Sequence, residues 1–186
     1  MKNVVLILLT ALLINNGFAQ YKPVDNKSSI QFKIKTFGIK VTGIFTGLDG
    51  NILFDPGKLN DSKFDVTIDA NTVNTDNSLR DSHLKEDAFF DVKNYPQLHF
   101  VSIRITPSTK KGVLLVYGKL SIKNQTKEIS FPFTAEASED SYLLKGTFTI
   151  NRKDFGVGET NIISNEVEVS LNVFATKELN LSKSAP

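Results

Sequence analysis

Apolar and polar residues alternate with a period of two along most of this chain. The run 30–34 shows the alternation, which returns at 64–70, 129–135 and 167–175. Successive side chains of a β-strand point to opposite faces of the sheet, so each run predicts a strand with one dry face and one wet face. Burial on one side only is typical of antiparallel sheets.

Turn residues separate these runs from further predicted strands at 38–45, 50–54, 98–105, 113–122 and 142–151. The turns include Asp-Pro-Gly at 55–57 and Thr-Pro-Ser at 106–108. Many short strands with no helical pattern between them predict an all-β sandwich or barrel. Since no repeat and no domain boundary is visible, we expect one domain over 20–177.

The segment 75–96 interrupts the alternation. Thr75-Asp76 predicts the start of a short helix over 77–84. Asp87 predicts a single turn over 88–92, which ends before the Tyr-Pro pair at 95–96. We expect this helical insertion to cover one end or one side of the barrel.

The two ends of the chain differ from the rest. Met1-Lys2 is followed by an apolar run over 4–14 and by the small residues Gly17 and Ala19. This order predicts a secretory signal peptide over 1–19. The apolar run is short for a hydrocarbon layer of ~30 Å, so we expect export without stable membrane insertion. A short polar tail is expected over 178–186.

Composition narrows the classes of function. The 22 Lys and Arg against 20 Asp and Glu give no basic surface of the kind that binds nucleic acid. The absence of Cys excludes disulfides and thiol catalysis. The two His lack the spacing of a zinc motif, and no nucleophile or phosphate-loop motif is present. We therefore expect no metal, no cofactor and no catalytic residue, hence not an enzyme.

Aromatic residues are the remaining chemical feature. The chain has 14 Phe, 4 Tyr and no Trp, and many of the Phe fall on the dry faces of predicted strands. A barrel of about eight strands can be filled by its own side chains or can hold a small ligand. Aromatic faces most often form core, so composition alone leaves both interpretations open.

Several short motifs point to a family. The segment 79–96 contains Leu-Arg-Asp-Ser-His-Leu, Phe-Phe-Asp-Val and Tyr-Pro, and Ser-Ser-Ile-Gln-Phe, Gly-Ile-Phe and Gly-Lys-Leu-Ser-Ile occur at 28–32, 43–45 and 118–122. In this order they resemble the YceI-like family over about 21–176. The resemblance implies a closed antiparallel lipocalin-like β-barrel of about eight strands with a short helical insertion. It further implies a periplasmic protein that binds polyisoprenoid or another long-chain lipid.

The resemblance also implies an elongated apolar pore inside the barrel. Together with strand phase, it assigns the cavity lining to Phe32, Ile34, Phe45, Phe89, Phe90, Phe100, Phe131, Phe133 and Phe148. The alternative is a solidly packed exported barrel, structural or stress-related, that acts through surface protein contacts. Open strand edges also leave a homodimer as an expectation.

Arg80 and His83 are the candidates for contact with a lipid head group. The planar guanidinium of Arg80 suits paired oxygens such as those of diphosphate or carboxylate. The structural alternative for Arg80 is an ion pair with Asp81, Asp76 or Asp91 that holds the insertion on the barrel. For His83 the alternative is a hydrogen-bonded structural residue.

Overall fold

The computed structural model describes residues 19–159 and 162–178. The predicted signal peptide over 1–19 and the predicted tail over 178–186 lie outside the described residues, apart from Ala19 and Glu178. Across the described ranges, no helix has the length and apolar character needed to cross a membrane.

Ten strands and one α-helix follow one another in the described chain. They are β1 (Gln20–Pro23), β2 (Ser29–Thr36), β3 (Ile39–Phe45), β4 (Asp49–Leu53), β5 (Lys63–Asp69), α1 (Ser78–Lys85), β6 (Gln97–Pro107), β7 (Leu114–Ile122), β8 (Gln125–Ser138), β9 (Ser141–Asn151) and β10 (Glu166–Lys177). Each run of alternating residues forms a strand because the alternation gives the sheet one apolar face.

The sheet closes on itself, with every neighbouring pair of strands antiparallel. The ring passes from β1 through β4, β5, β6, β7, β8, β9 and β10 and returns to β1. This closed antiparallel barrel of eight strands with one short helix confirms the predicted fold class. The remaining strands, β2 and β3, form a hairpin that extends the wall from β10.

The hairpin leaves a seam in the wall, because, among the strands that the structure describes, β3 is hydrogen-bonded along its length to β2 alone. The insertion covers this seam. Backbone hydrogen bonds join Ile44 to Asn74, and the ring of Phe90 packs edge-on against that of Phe45 at 5.4 Å. The helix starts one residue later than predicted, since the side chain of Asn77, not Thr75 or Asp76, caps α1 by accepting from the Arg80 N–H at 2.9 Å.

The end of the barrel around β1 and β4 is filled by its own side chains. We call it the packed end; its buried residues include Tyr21, Ile52, Phe54, Phe64, Ile105, Val116, Phe133 and Ala175. The rings meet edge to face, with Tyr142 at 5.0 Å from Phe54 and 5.1 Å from Tyr21. Such pairs add stability beyond the apolar area that they bury. The packed end therefore closes the barrel on one side.

Candidate functional site

A cavity of about 740 Å³ occupies the other half of the barrel. Aliphatic side chains form much of its wall, among them Ile30, Val66, Ile68, Leu120, Ile129, Ile150, Val167, Val169, Leu171 and Val173. Known sites for small organic ligands span roughly 300–1,000 Å³, so the cavity has the size of a ligand site. A wall with few polar groups suits a hydrocarbon guest, which needs no hydrogen-bond partner.

Eight of the nine residues predicted to line a cavity do line it: Phe32, Ile34, Phe45, Phe89, Phe90, Phe100, Phe131 and Phe148. The rings of Phe131 and Phe148 stack with their centroids 4.3 Å apart and their planes 17° apart. Phe100 lies beside this stack, 5.7 Å from Phe131. These aromatic rings form the inner end of the cavity, next to the packed end.

The prediction for Phe133 is wrong. Its ring lies in the packed end, 5.5 Å from that of Phe64 and 6.1 Å from that of Phe54, and it is not part of the cavity wall. Phe131 and Phe133 share one face of β8, so alternation assigns both to the interior. The alternation does not show where along the barrel axis each ring lies, or whether side chains from the opposite wall fill the interior at that level. The interior is thus solidly packed, as the alternative predicted, at this end only.

Two glycines in strands keep the cavity hollow. The ring of Phe32 lies over Gly43, its partner on β3, where an added Cβ would collide with the ring and come within 2.9 Å of Thr75. The ring of Phe100 lies over Gly118 on β7 in the same way. A glycine in a strand interior often marks such a close approach. Each ring lies flat against the wall because its neighbour has no side chain. The sequence reasoning missed both glycines.

The cavity reaches the surface at the end opposite the packed end. We call this opening the mouth and define it by Thr36, Val41, Leu79 and Ile163, which all line the cavity. Leu79 on α1 lines the cavity although 68% of it is exposed, so the wall here is continuous with the molecular surface. A ligand can therefore enter from this side.

Arg80 lines the cavity near the mouth and is half-buried. Its Nε donates to Thr75 Oγ1 and its Nη2 to the Thr75 carbonyl, both at 2.7 Å. Asp81 accepts from the Thr75 hydroxyl and from the Thr75 N–H. Among the described residues Arg80 forms no ion pair with Asp81, Asp76 or Asp91, so that alternative is wrong; Thr75 joins Arg80 to Asp81 instead. The guanidinium keeps further N–H groups for a ligand.

His83 also lines the cavity and is exposed. Its side chain makes no hydrogen bond within the described part of the chain, so the prediction of a hydrogen-bonded structural histidine is wrong. The described residues likewise contain no group of three or more His, Asp or Glu that could hold a metal ion.

Arg152, which the sequence reasoning did not single out, supports the mouth. It is only 4% exposed, and burial lowers its pKa. Its Nε donates to the Ser164 carbonyl at 2.8 Å, its Nη2 to Ile163 at 2.9 Å, and its Nη1 to Val157 and Gly158. A buried charge is stabilised by such hydrogen bonds, and here they hold the chain segments that carry Val157 and Ile163 to the cavity wall.

A closed barrel with a packed end, an apolar cavity and one mouth defines the class of lipocalin-like barrels. The match to the YceI-like domain covers residues 21–175, and the chain belongs to this family.

Individual relatives agree with this assignment. The chain is 31% identical over 137 residues to a UPF0312 protein of Shewanella denitrificans, which covers 70% of this chain and 71% of the relative. The crystal structure of BcnA from Burkholderia cenocepacia superposes with a TM-score of 0.77 at 27% identity, over 81% of this chain and 98% of BcnA. A polyisoprenoid binding domain from Saccharophagus degradans shares the fold, with a TM-score of 0.69 at 18% identity over 85% of this chain and 98% of that domain.

Proposed function

We propose that this protein binds a long-chain amphiphile, a polyisoprenoid or a similar lipid, with its tail in the cavity and its head group at the mouth. The apolar cavity of about 740 Å³, closed at the packed end and open at the mouth, carries the proposal. We further propose that it does so in the periplasm, after removal of residues 1–19 on export. Cell fractionation and N-terminal sequencing of the recovered protein test the export.

The energetics suit such a ligand. Burial of a methylene group contributes about 0.8 kcal/mol, so three or four isoprene units contribute well over ten kcal/mol before ordering costs. Loss of translational freedom and freezing of the flexible chain offset several kcal/mol of this gain. Micromolar or tighter affinity therefore needs no strong polar contact. Selectivity between lipids that differ by one methylene is expected to be weak, since a single methylene discriminates poorly.

The family match and one structural neighbour support the proposal, and the cavity supports it independently. Membership of the family gives the chain the lipocalin-like barrel fold, and one protein with the same fold is named for polyisoprenoid binding. The cavity of this chain supplies the independent physical support, because its wall offers apolar surface with few competing polar groups.

A pair of substitutions on β10 tests the proposal. Val169 lines the cavity, whereas its neighbour Ser170 is not part of the wall. Val169→Trp places an indole in the cavity, and Ser170→Trp places the same side chain on the opposite face of the strand. We expect the parent protein and Ser170→Trp to take up an added isoprenoid alcohol, seen as a mass increase in native mass spectrometry. Val169→Trp is expected to lose that uptake. Equal uptake by both variants, or none by the parent protein, would contradict the proposal.

A further inference from the structure

The tip of the β2–β3 hairpin exposes two large apolar side chains beside the mouth. Phe37 is 73% exposed and Ile39 is 70% exposed. Phe37 lies next to Thr36, a mouth residue, and its N–H donates to the carbonyl of Ile162 at 3.2 Å. Ile162 is also an exposed apolar residue. Together with Leu79 on α1, these side chains form an apolar rim at the mouth.

The rim continues the cavity wall beyond the barrel. Ile34, Thr36 and Val41 line the cavity from one face of the hairpin. Ile39 is the register partner of Thr36 and therefore lies on the same face. The apolar surface thus runs from the cavity, along the inner face of the hairpin, to a tip that solvent surrounds.

The outer face of the hairpin is basic. Lys35 and Lys40 are direct register partners, and both are exposed. Like charges directly opposite each other weaken a pair of strands. Neither ammonium forms an ion pair within the described residues, whereas the neighbouring Lys33 lies 3.5 Å from Glu168. Two unpaired lysines beside an apolar tip form a surface that an anionic partner would complement.

The backbone of the tip is also unusual. Phe37 has a φ of 51° and Gly38 a φ of 78°, so the two central residues of this turn both lie in the left-handed region. Two-residue hairpin turns of this geometry favour Asn or Gly, and a bulky residue at positive φ is an outlier. Backbone strain of this kind clusters at functional sites. Folding of the hairpin does not explain the choice of phenylalanine here.

We propose that the hairpin tip docks onto the surface of an anionic phospholipid bilayer. Phe37 and Ile39 enter the boundary between head groups and acyl chains, while Lys35 and Lys40 contact lipid phosphates. Peripheral proteins bind membranes by this combination of apolar insertion and basic flanks. Docking brings the mouth to the bilayer, so that a lipid tail can pass along the apolar rim without crossing water. The docking itself is independent of cargo; its use in lipid transfer rests on the proposed function.

The absence of tryptophan makes the tip directly observable. Phe37→Trp introduces the only indole of the chain, and Ile103→Trp introduces one at another exposed apolar position, 55% exposed, on β6. The experiment uses the chain from Gln20 onward, which is what the proposed export leaves, because the apolar run over 4–14 would itself bind lipid and every described strand lies within 20–177. Both variants are mixed with vesicles of phosphatidylcholine, with and without phosphatidylglycerol.

We expect the emission of Phe37→Trp to shift to the blue with phosphatidylglycerol vesicles and to be quenched by brominated acyl chains, while Ile103→Trp stays unchanged. Equal responses of both variants, or no response of either, would overturn the proposal. A blue shift of Phe37→Trp that grows with protein concentration without vesicles would also overturn it, because a second copy of the chain would then cover the tip.

Vesicle sedimentation separates the apolar and basic contributions. We expect Phe37→Ser and Ile39→Ser each to lower partitioning by on the order of tenfold, and Ile103→Ser to leave it unchanged. Lys35→Glu and Lys40→Glu are expected to lower partitioning onto anionic vesicles by about fivefold or more each, against no change for the exposed Lys119→Glu on β7.

Uptake of a detergent-solubilised isoprenoid distinguishes docking from cargo binding. Tip variants are expected to retain this uptake while losing vesicle binding, and Val169→Trp is expected to show the reverse. Loss of uptake in Val169→Trp with unchanged docking leaves both proposals standing, whereas tip variants that bind vesicles as well as the parent protein refute the docking proposal alone.

Discussion

Phe131 and Phe133 lie two residues apart on β8 and are both buried, yet they belong to different halves of the barrel. Phe131 lines the cavity and stacks on Phe148. Phe133 packs between rings of the packed end. Replacement of each phenylalanine by alanine is therefore expected to affect mainly lipid binding at Phe131 and mainly the stability of the fold at Phe133.

Phe133→Ala is expected to lower the free energy of unfolding by about 3–5 kcal/mol, because it opens a void inside close-packed rings. Phe131→Ala is expected to cost less stability, since one side of this ring already faces empty space, and to weaken lipid binding instead. Urea unfolding and lipid titration of both variants measure the two effects. If both variants lose the same free energy of unfolding and both keep the lipid affinity of the parent protein, the assignment of Phe133 to stability and Phe131 to binding is wrong.

Arg80 is the residue best placed to contact an acidic head group. Two of its donors are held by Thr75, and others remain for a ligand. Arg80→Ala is expected to weaken an isoprenyl diphosphate by about 1.5–3 kcal/mol, the range of hydrogen bonds to charged groups, and to leave the corresponding neutral alcohol unaffected.

Asn77→Ala is the matched control for Arg80. It removes the cap of α1 at a cost of about 1 kcal/mol and keeps the guanidinium. We expect it to change the affinities for diphosphate and alcohol by the same factor. If Arg80→Ala behaves in the same way, Arg80 holds the insertion in place and does not contact the head group.

At the level of elements, the pairing of β2 with β3 determines the width of the cavity. Gly43→Ala is expected to push the Phe32 ring off the wall and into the cavity, because the added Cβ collides with that ring. Lipid uptake should fall while far-ultraviolet circular dichroism stays unchanged. The double variant Gly43→Ala/Phe32→Leu should regain uptake. Failure of the smaller side chain to restore it would show that the backbone, not the ring, was displaced.

Alternation of apolar and polar residues predicted β2, β5, β8 and β10, because one-sided burial needs a period of two, and turn residues marked off the other strands from β3 to β9. It missed β1, a strand of four residues that ends in Pro23. The helix was predicted to within one residue at each end, although Asn77 provides its cap and not Thr75 or Asp76. Alternation also could not show that β3 leaves the ring, since strand pairing depends on contacts far apart in sequence.

The residues around the cavity were predictable only in part. Strand phase and the family resemblance placed eight residues on its wall, but phase gives the face of a strand and not its depth, as Phe133 shows. Gly43 carried a signal that was overlooked, since glycine inside a strand indicates a close approach. Arg152 lies in Asn-Arg-Lys-Asp, a stretch that resembles an exposed turn. Only the folded structure buries its guanidinium among carbonyl groups.

At the scale of the whole molecule, the barrel combines a packed end that supplies stability with a hollow end that has room for a ligand. The hydrophobic gain from a guest should increase with every buried methylene, by about 0.8 kcal/mol at most, until the cavity of about 740 Å³ is full. Longer chains should then gain nothing, because the extra length remains in water. Affinity is thus expected to rise with chain length until the cavity is full and to stay constant for longer chains.

The most direct measurement is calorimetric titration of the protein with isoprenoid alcohols of increasing length, each kept below its solubility limit in the same detergent-free buffer. The predicted result is an affinity that rises with each isoprene unit and then stays constant, with a negative heat-capacity change that reaches its limit at the same length. Binding that is absent, or independent of chain length across the series, would contradict the assignment of the cavity as a lipid site.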